Sequence, residues 1–220
     1  MPERKRPRRT RERILETSLE LFNRFGEPNV TTGDIAVEMG ISPGNLYYHF
    51  RNKEEITTEL YAAFEGQVQP LLVSPEARSL TVDDLWLWLH LFLEAMERYR
   101  FLYRDLVDLA ARHHRAGARI AQLLRNGERT LRAIFRAISA GGDLDATGRE
   151  LDVLARNAML ILTHSMAYER LARGPGASQM APDLTRAAYG VLMLIAPHAT
   201  GEARAHIERL SAIYLDGTPS

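Results

Sequence analysis

Hydrogen-bond donors crowd the stretch from Thr31 to Lys53. Thr31, Thr32, Asn45, Tyr47, Tyr48, His49 and Lys53 each carry one, and no carboxylate interrupts Met39 to Lys53. Such groups suit a polyanion: they meet phosphate oxygens and base edges. Asn45 has the paired donor and acceptor that match an adenine edge, and Gly44 beside it lets a backbone approach closely. Just upstream, residues 1 to 13 hold seven basic side chains against Glu3 and Glu12, although overall Lys and Arg balance Asp and Glu at 28 each. A basic tail alone is as readily a solubilising one; its proximity to the donor-rich stretch is what gives it weight.

A second group of residues suggests a different chemistry. Trp86, His90, Tyr103, Met159 and His164 lie among many other aromatic and few charged residues, so an apolar or aromatic small molecule would suit them. Each is equally compatible with plain core. Catalysis finds little support: there is no cysteine, and HExxH, GxSxG, Walker and GxGxxG patterns are all absent. No catalytic residue, cofactor or metal site is expected. No apolar run nears the roughly 18 residues of a membrane span, and the basic amino terminus has no apolar segment behind it, so the expectation is a cytoplasmic protein without a membrane partner.

The elements that must position these groups are helical. Leu and Ala number 30 and 27, against 8 Val and 11 Ile, and Gly and Pro gather in a few clusters between periodic segments. Residues 85–93, LWLWLHLFL, alternate like a strand, but they are Leu-rich within an unbroken stretch and are assigned to a buried helix. The first helix is expected over 11–25, capped by Thr10 and stopped by Gly26. A second spans 33–39, entered through Thr31 and Thr32 and ended by Gly40. Ser42 and Pro43 open a third, PGNLYYHF, and Asn52 with Glu55 restarts the chain into a fourth, which reaches about residue 69.

Two short helices around a tight glycine turn, behind a longer helix, make the geometry of a helix-turn-helix DNA reader. Ile35, Ala36, Ile41, Leu46 and Phe50 are spaced to close it onto the first helix. Tyr47 and Tyr48 are adjacent, about 100° apart on a helix, so at least one faces outward. The segment VTTGDIAVEMGISPGNLYYHFRNKEEI resembles the DNA-binding signature of the TetR family of bacterial regulators in its paired Thr, D-I-A, G-I-S, L-Y-Y-H-F and N-K-E-E positions. The resemblance covers residues 10–60. It implies an all-α fold, with an N-terminal three-helix helix-turn-helix domain over 1–52 and a larger helical effector-binding and dimerisation domain over 53–220.

The same resemblance implies phosphate contacts for Thr32, Tyr47, Tyr48, His49 and Lys53. It also implies a homodimer on a double-stranded operator, and a small effector. Gly33 and Pro43 depart from the family pattern, the first lacking a polar side chain and the second a donor.

The remainder is expected as helices over 81–98, 99–113, 117–139, 145–173, 182–196 and 202–215. The resemblance places dimerisation on the last long helices. Leu151, Leu154, Ala158, Ile161, Ser165, Tyr168 and Ala172 form one stripe that permits it, and Ala188, Val191, Leu192 and Ile195 form another; burial inside one protomer is the alternative. His113 and His114, beside Arg112 and Arg115, are expected at the surface. A helix-turn-helix protein that binds DNA without any effector fits the same residues. The two readings part on whether residues 81–170 enclose a cavity.

Overall fold

The computed structural model describes residues 7–73, 80–104, 106–112, 114–174 and 184–215, and the described residues form helices and no β-strands. α1 (Pro7–Phe25) is already helical four residues before the expected start, so Thr10 lies inside the helix and is not its cap. Ile14 and Phe22 are the fully buried face, and Ser18 donates to the Ile14 carbonyl at 2.6 Å. Gly26 ends α1 at φ 91°, and a short 3-10 turn, Glu27–Asn29, follows. The positive φ of Gly26 is what requires glycine here; a Cβ would in addition displace the end of the Arg104 side chain.

α2 (Thr32–Glu38) is held by a capping box in which Asp34 N–H donates to Thr31 Oγ1 at 3.1 Å and Thr31 N–H donates back to Asp34 Oδ2 at 2.8 Å. Gly40 turns the chain at φ 64°. α3 (Pro43–His49) starts at Ser42, whose hydroxyl accepts from Asn45 N–H at 3.2 Å. α4 (Lys53–Val68) starts at Asn52, whose Oδ1 accepts from Glu55 N–H at 2.9 Å.

α5 (Val82–Arg98) follows a 3-10 turn over Gln69–Leu72. It buries Leu85, Trp88, Leu89, Phe92 and Leu93 and exposes Leu87 and Leu91, a helical rather than an alternating pattern. Tyr99 leaves helical geometry at ψ 38° and separates α5 from the helix expected over 99–113, whose described parts are α6 (Arg100–Arg104) and α7 (Leu106–Arg112). α8 (His114–Ala140), α9 (Gly148–Arg173), α10 (Thr185–Ile195) and α11 (Gly201–Leu215) complete the fold. α9 packs between α8 and α10, and α4 runs from the N-terminal head into the C-terminal bundle. Residues 1–6 of the basic arm, residues 175–183 with the expected helix start at 182, His113 and the His114 side chain lie outside what is described.

Polar contacts fasten the head to the bundle. Asn23 Nδ2 donates to the Arg98 carbonyl at 2.8 Å, and Asn23 Oδ1 accepts from Phe101 N–H at 3.0 Å, so one side chain of α1 spans the α5–α6 break. Phe22 packs on Phe101 with ring centroids 5.4 Å apart.

Candidate nucleic-acid interface and effector pocket

The head is built around four buried side chains, Ile35, Ala36, Leu46 and Phe50, with Ile41 half-buried beside them. Burying these apolar groups fixes α2 and α3 against α1, which leaves the opposite face of α3 to solvent. Pro43, Gly44 and Asn45 are exposed on its first turn. Tyr47 and Tyr48 are both exposed, by 52% and 79%, so the outward tyrosine required by the sequence is in fact a pair. The Tyr47 hydroxyl lies 3.0 Å from Thr32 Oγ1, which ties α3 to the start of α2, and the Tyr48 ring meets His49 edge-on at 5.1 Å.

Val30, Thr31, Thr32, Tyr47, Arg51, Asn52 and Lys53 line one shallow groove. Seven of the nine expected DNA-facing residues are exposed or half-buried along this groove or on the first turn of α3, and His49 is half-buried beside them. Arg51 was not among the expected contacts. The acid-free stretch that contains it was the available signal.

Lys53 differs from the others. Its Nζ donates to the Glu27 carbonyl at 2.8 Å and lies 3.2 Å from Glu27 Oε1. Glu27 is 2% exposed, and its other oxygen takes Arg112 Nη2 at 2.9 Å. Arg112 is held in turn by Asp108 at 2.8 Å, and the hydrogen bond it donates to Asp108 does most to raise its pKa further. Arg11, counted with the basic arm, pairs with Glu59 and sits 4.7 Å above the Phe50 ring, so it braces α1 against α4.

The five expected pocket residues do not converge. Trp86 stacks on His90 at 5.6 Å on an outer part of α5, and His90 is exposed, which corrects its expected place in apolar surroundings. Met159 and His164 line an open groove of about 390 Å³ between α8 and α9, together with Leu124, Arg125, Glu128 and Arg156. Tyr103 belongs to a third place, a cavity of about 10 Å³ bounded by Tyr61, Phe64, Leu102, Leu106, Ile120, Leu123 and Leu124. Helical spacing defines a face within one helix but not which faces of different helices meet. Tyr61 and Phe64 of α4 complete that lining, and they were not among the expected pocket residues.

The expected dimer stripes are corrected in part: Leu151, Leu154, Ala158, Ala188, Val191, Leu192 and Ile195 are buried within the protomer, Ile161 and Ser165 are half-buried, and Tyr168 and Ala172 are exposed. With Tyr168, α9 turns Val153, Leu160 and Leu171 outward, the four exposed by 70%, 57%, 48% and 81%. Their spacing places them on one side of the helix.

Among the described residues no helix is long and apolar enough to cross a membrane. The sequence pattern of the bacterial regulatory proteins of the tetR family matches residues 14–60, and that of the TetR bacterial transcriptional repressors matches residues 63–207. A solved TetR-family transcriptional regulator from Marinobacter aquaeolei VT8 is 33% identical and has a TM-score of 0.81, covering 93% of this chain and 98% of that one. The HTH-type transcriptional regulator AcrR of Shigella flexneri is 30% identical over 69 residues, 31% of this chain and 32% of its own. IcaR of Staphylococcus epidermidis, the negative transcriptional regulator of the biofilm operon icaADBC, is 29% identical over 97 residues, 44% of this chain and 52% of its own. The chain therefore matches about a third to a half of the length of these curated relatives. With a family pattern across most of its length and a relative matched nearly end to end, the chain belongs to the TetR family of bacterial transcriptional regulators.

Proposed function

We propose that the chain is a homodimeric, effector-responsive repressor that reads a palindromic operator through two helix-turn-helix heads. The observation that carries this reading is the first turn of α3, where Gly44 and Asn45 stand exposed, flanked by the outward Tyr47 and Tyr48, on a head whose opposite face is fully buried. Asn45 reads a base edge; Thr31, Thr32, Tyr47, Tyr48, His49 and Arg51 hold the phosphates. Residues 1–52 form the reading unit and 53–220 the effector and dimer unit.

One head reads few base pairs, so two must enter successive major grooves with their recognition helices roughly 34 to 36 Å apart, or farther if the dimer straddles additional turns. The outward stripe of α9 supplies the apolar surface for the dimer. The effector site is the Tyr61–Tyr103 cavity, because α4 carries one wall of that cavity and begins at Asn52, three residues after α3 ends. A displacement of α4 there changes head spacing while each head stays intact.

The test is operator selection from random duplexes, followed by affinity measurements on single-base variants with wild type and Asn45→Ala. A two-fold symmetric site, with discrimination at one base pair per half-site lost in Asn45→Ala, supports the reading. An asymmetric site bound by a monomer overturns it. The small volume of the cavity favours a second reading, a regulator that binds DNA constitutively; it holds if no compound that binds the bundle alters operator affinity.

A further inference from the structure

Tyr61 from α4 and Tyr103 from α6 are 2% and 3% exposed, and among the described residues neither hydroxyl has a hydrogen-bond partner. A buried hydroxyl left unpaired is costly, and both of these belong to rings that line the same cavity. The rings are fixed from behind: Phe64 meets Tyr103 edge-on at 5.6 Å and Tyr61 at 6.2 Å. Burial raises the pKa of both phenols, so both are neutral donors.

The other walls are hydrocarbon, from Phe64, Leu102, Leu106, Ile120, Leu123 and Leu124. Arg119 lies 5.0 Å from the Tyr61 ring centroid, but its charge is committed to Glu65. An anion entering this space would lose its water and meet no free countercharge, and a cation would meet two donors and no carboxylate on the walls.

We propose that Tyr61 and Tyr103 are the recognition end of an effector site for an uncharged, mainly apolar molecule carrying one hydrogen-bond-accepting oxygen. This rests on the reading of the chain as effector-responsive and names the class of effector. A carbonyl oxygen has two lone pairs and accepts from both phenols at once. The cavity volume of about 10 Å³ has room for no more than one water, so the apolar part of the molecule enters by displacing Leu106 and Leu124, the half-buried members of the lining. Leu106 and Arg112 both belong to α7, so the displaced side chain and the ion pair to Glu27 sit on one helical segment.

The probes are acetophenone, ethylbenzene and benzoate, three molecules that share a ring and differ in acceptor and charge. Calorimetry and ligand-observed NMR on the full chain, as wild type, Tyr61→Phe, Tyr103→Phe and the double variant, give the comparison. Acetophenone should bind wild type about tenfold more tightly than either of the others, and its advantage over ethylbenzene should shrink to about twofold or less in the double variant. Melting temperatures of the variants at or above wild type confirm folding and an unpaired pair of hydroxyls.

Equal binding of ethylbenzene, tighter binding of benzoate, an unchanged ketone advantage in the double variant, or no binding by any probe overturns the assignment. A fall of several degrees in both single variants without a ketone preference identifies a bridging water and overturns it as well. Operator affinity, measured in parallel, separates the two levels. If the ketone binds as expected and operator affinity stays unchanged, effector control fails and the ligand class stands; if all three probes shift operator affinity alike, the class fails and effector control stands.

Discussion

Arg112 at the end of α7 places Nη2 2.9 Å from one carboxylate oxygen of Glu27, while the other oxygen takes Lys53 from the start of α4 at 3.2 Å. A single buried carboxylate thus joins the bundle to the helix that follows the reading head. Neither cation is released by this arrangement without leaving a charge uncompensated in a low-dielectric place.

Glu27→Gln should therefore lower stability by about 1 to 2 kcal/mol in urea melts, less than for a fully buried pair because both cations retain solvent contact. A double-mutant cycle with Arg112→Met should show a coupling of at least about 0.5 kcal/mol. Additive losses would remove Glu27 as a strut between the two units.

Salt dependence should rank the cations of the head. Arg51 is exposed in the groove, whereas Lys53 is neutralised by Glu27. Arg51→Ala should weaken all duplexes alike and reduce the log–log salt slope of the dimer by about 2, one unit per protomer. Lys53→Ala should change the slope less, and in a Glu27→Gln background its effect should grow. A larger slope change from Lys53 than from Arg51 in the otherwise wild-type chain would reverse this ranking.

The dimer surface should respond to outward residues of α9 alone. Leu160→Glu, on the exposed stripe, should give a species near the 24.9 kDa chain mass by light scattering, with helical content intact. Leu154→Ala, inside the protomer, should instead cost about 2 to 4 kcal/mol of stability as a core truncation and leave the oligomeric state unchanged. A dimer that survives Leu160→Glu and Tyr168→Glu together would move the interface elsewhere.

Acid should loosen two helix starts. The pKa values of Asp34 and Glu150 are held below their ordinary 3.8 and 4.5, Asp34 first by the Thr31 hydroxyl and Glu150 first by the Thr147 N–H. Because the folded values are the lower ones, the capping contribution is complete above the ordinary values and disappears as pH falls through the depressed ones. The thermal midpoint should be level from about pH 7 to 5 and fall below about pH 4, and Asp34→Asn combined with Glu150→Gln should flatten that fall. An unchanged acid limb in the double variant would remove the two boxes as its origin.

Local signals determined the head. Ser42, Pro43, Gly40 and Asn52 act through neighbours no more than four residues away, so their caps and turns are legible from order alone, and the spacing of Ile35, Leu46 and Phe50 already states which face of the reader is buried. The residue types also told helix from strand at LWLWLHLFL, because Leu without β-branching favours a helix whatever its alternation. The bracing of the head depended on more distant partners: Arg11 finds Glu59, and Asn23 grips both sides of the α5–α6 break. Only the tertiary structure decided which aromatic residues share a cavity, which stripe of α9 faces out, and that Lys53 turns to Glu27. Each of these is a meeting of side chains tens of residues apart, and helical periodicity carries no information about the rotation of one helix relative to another.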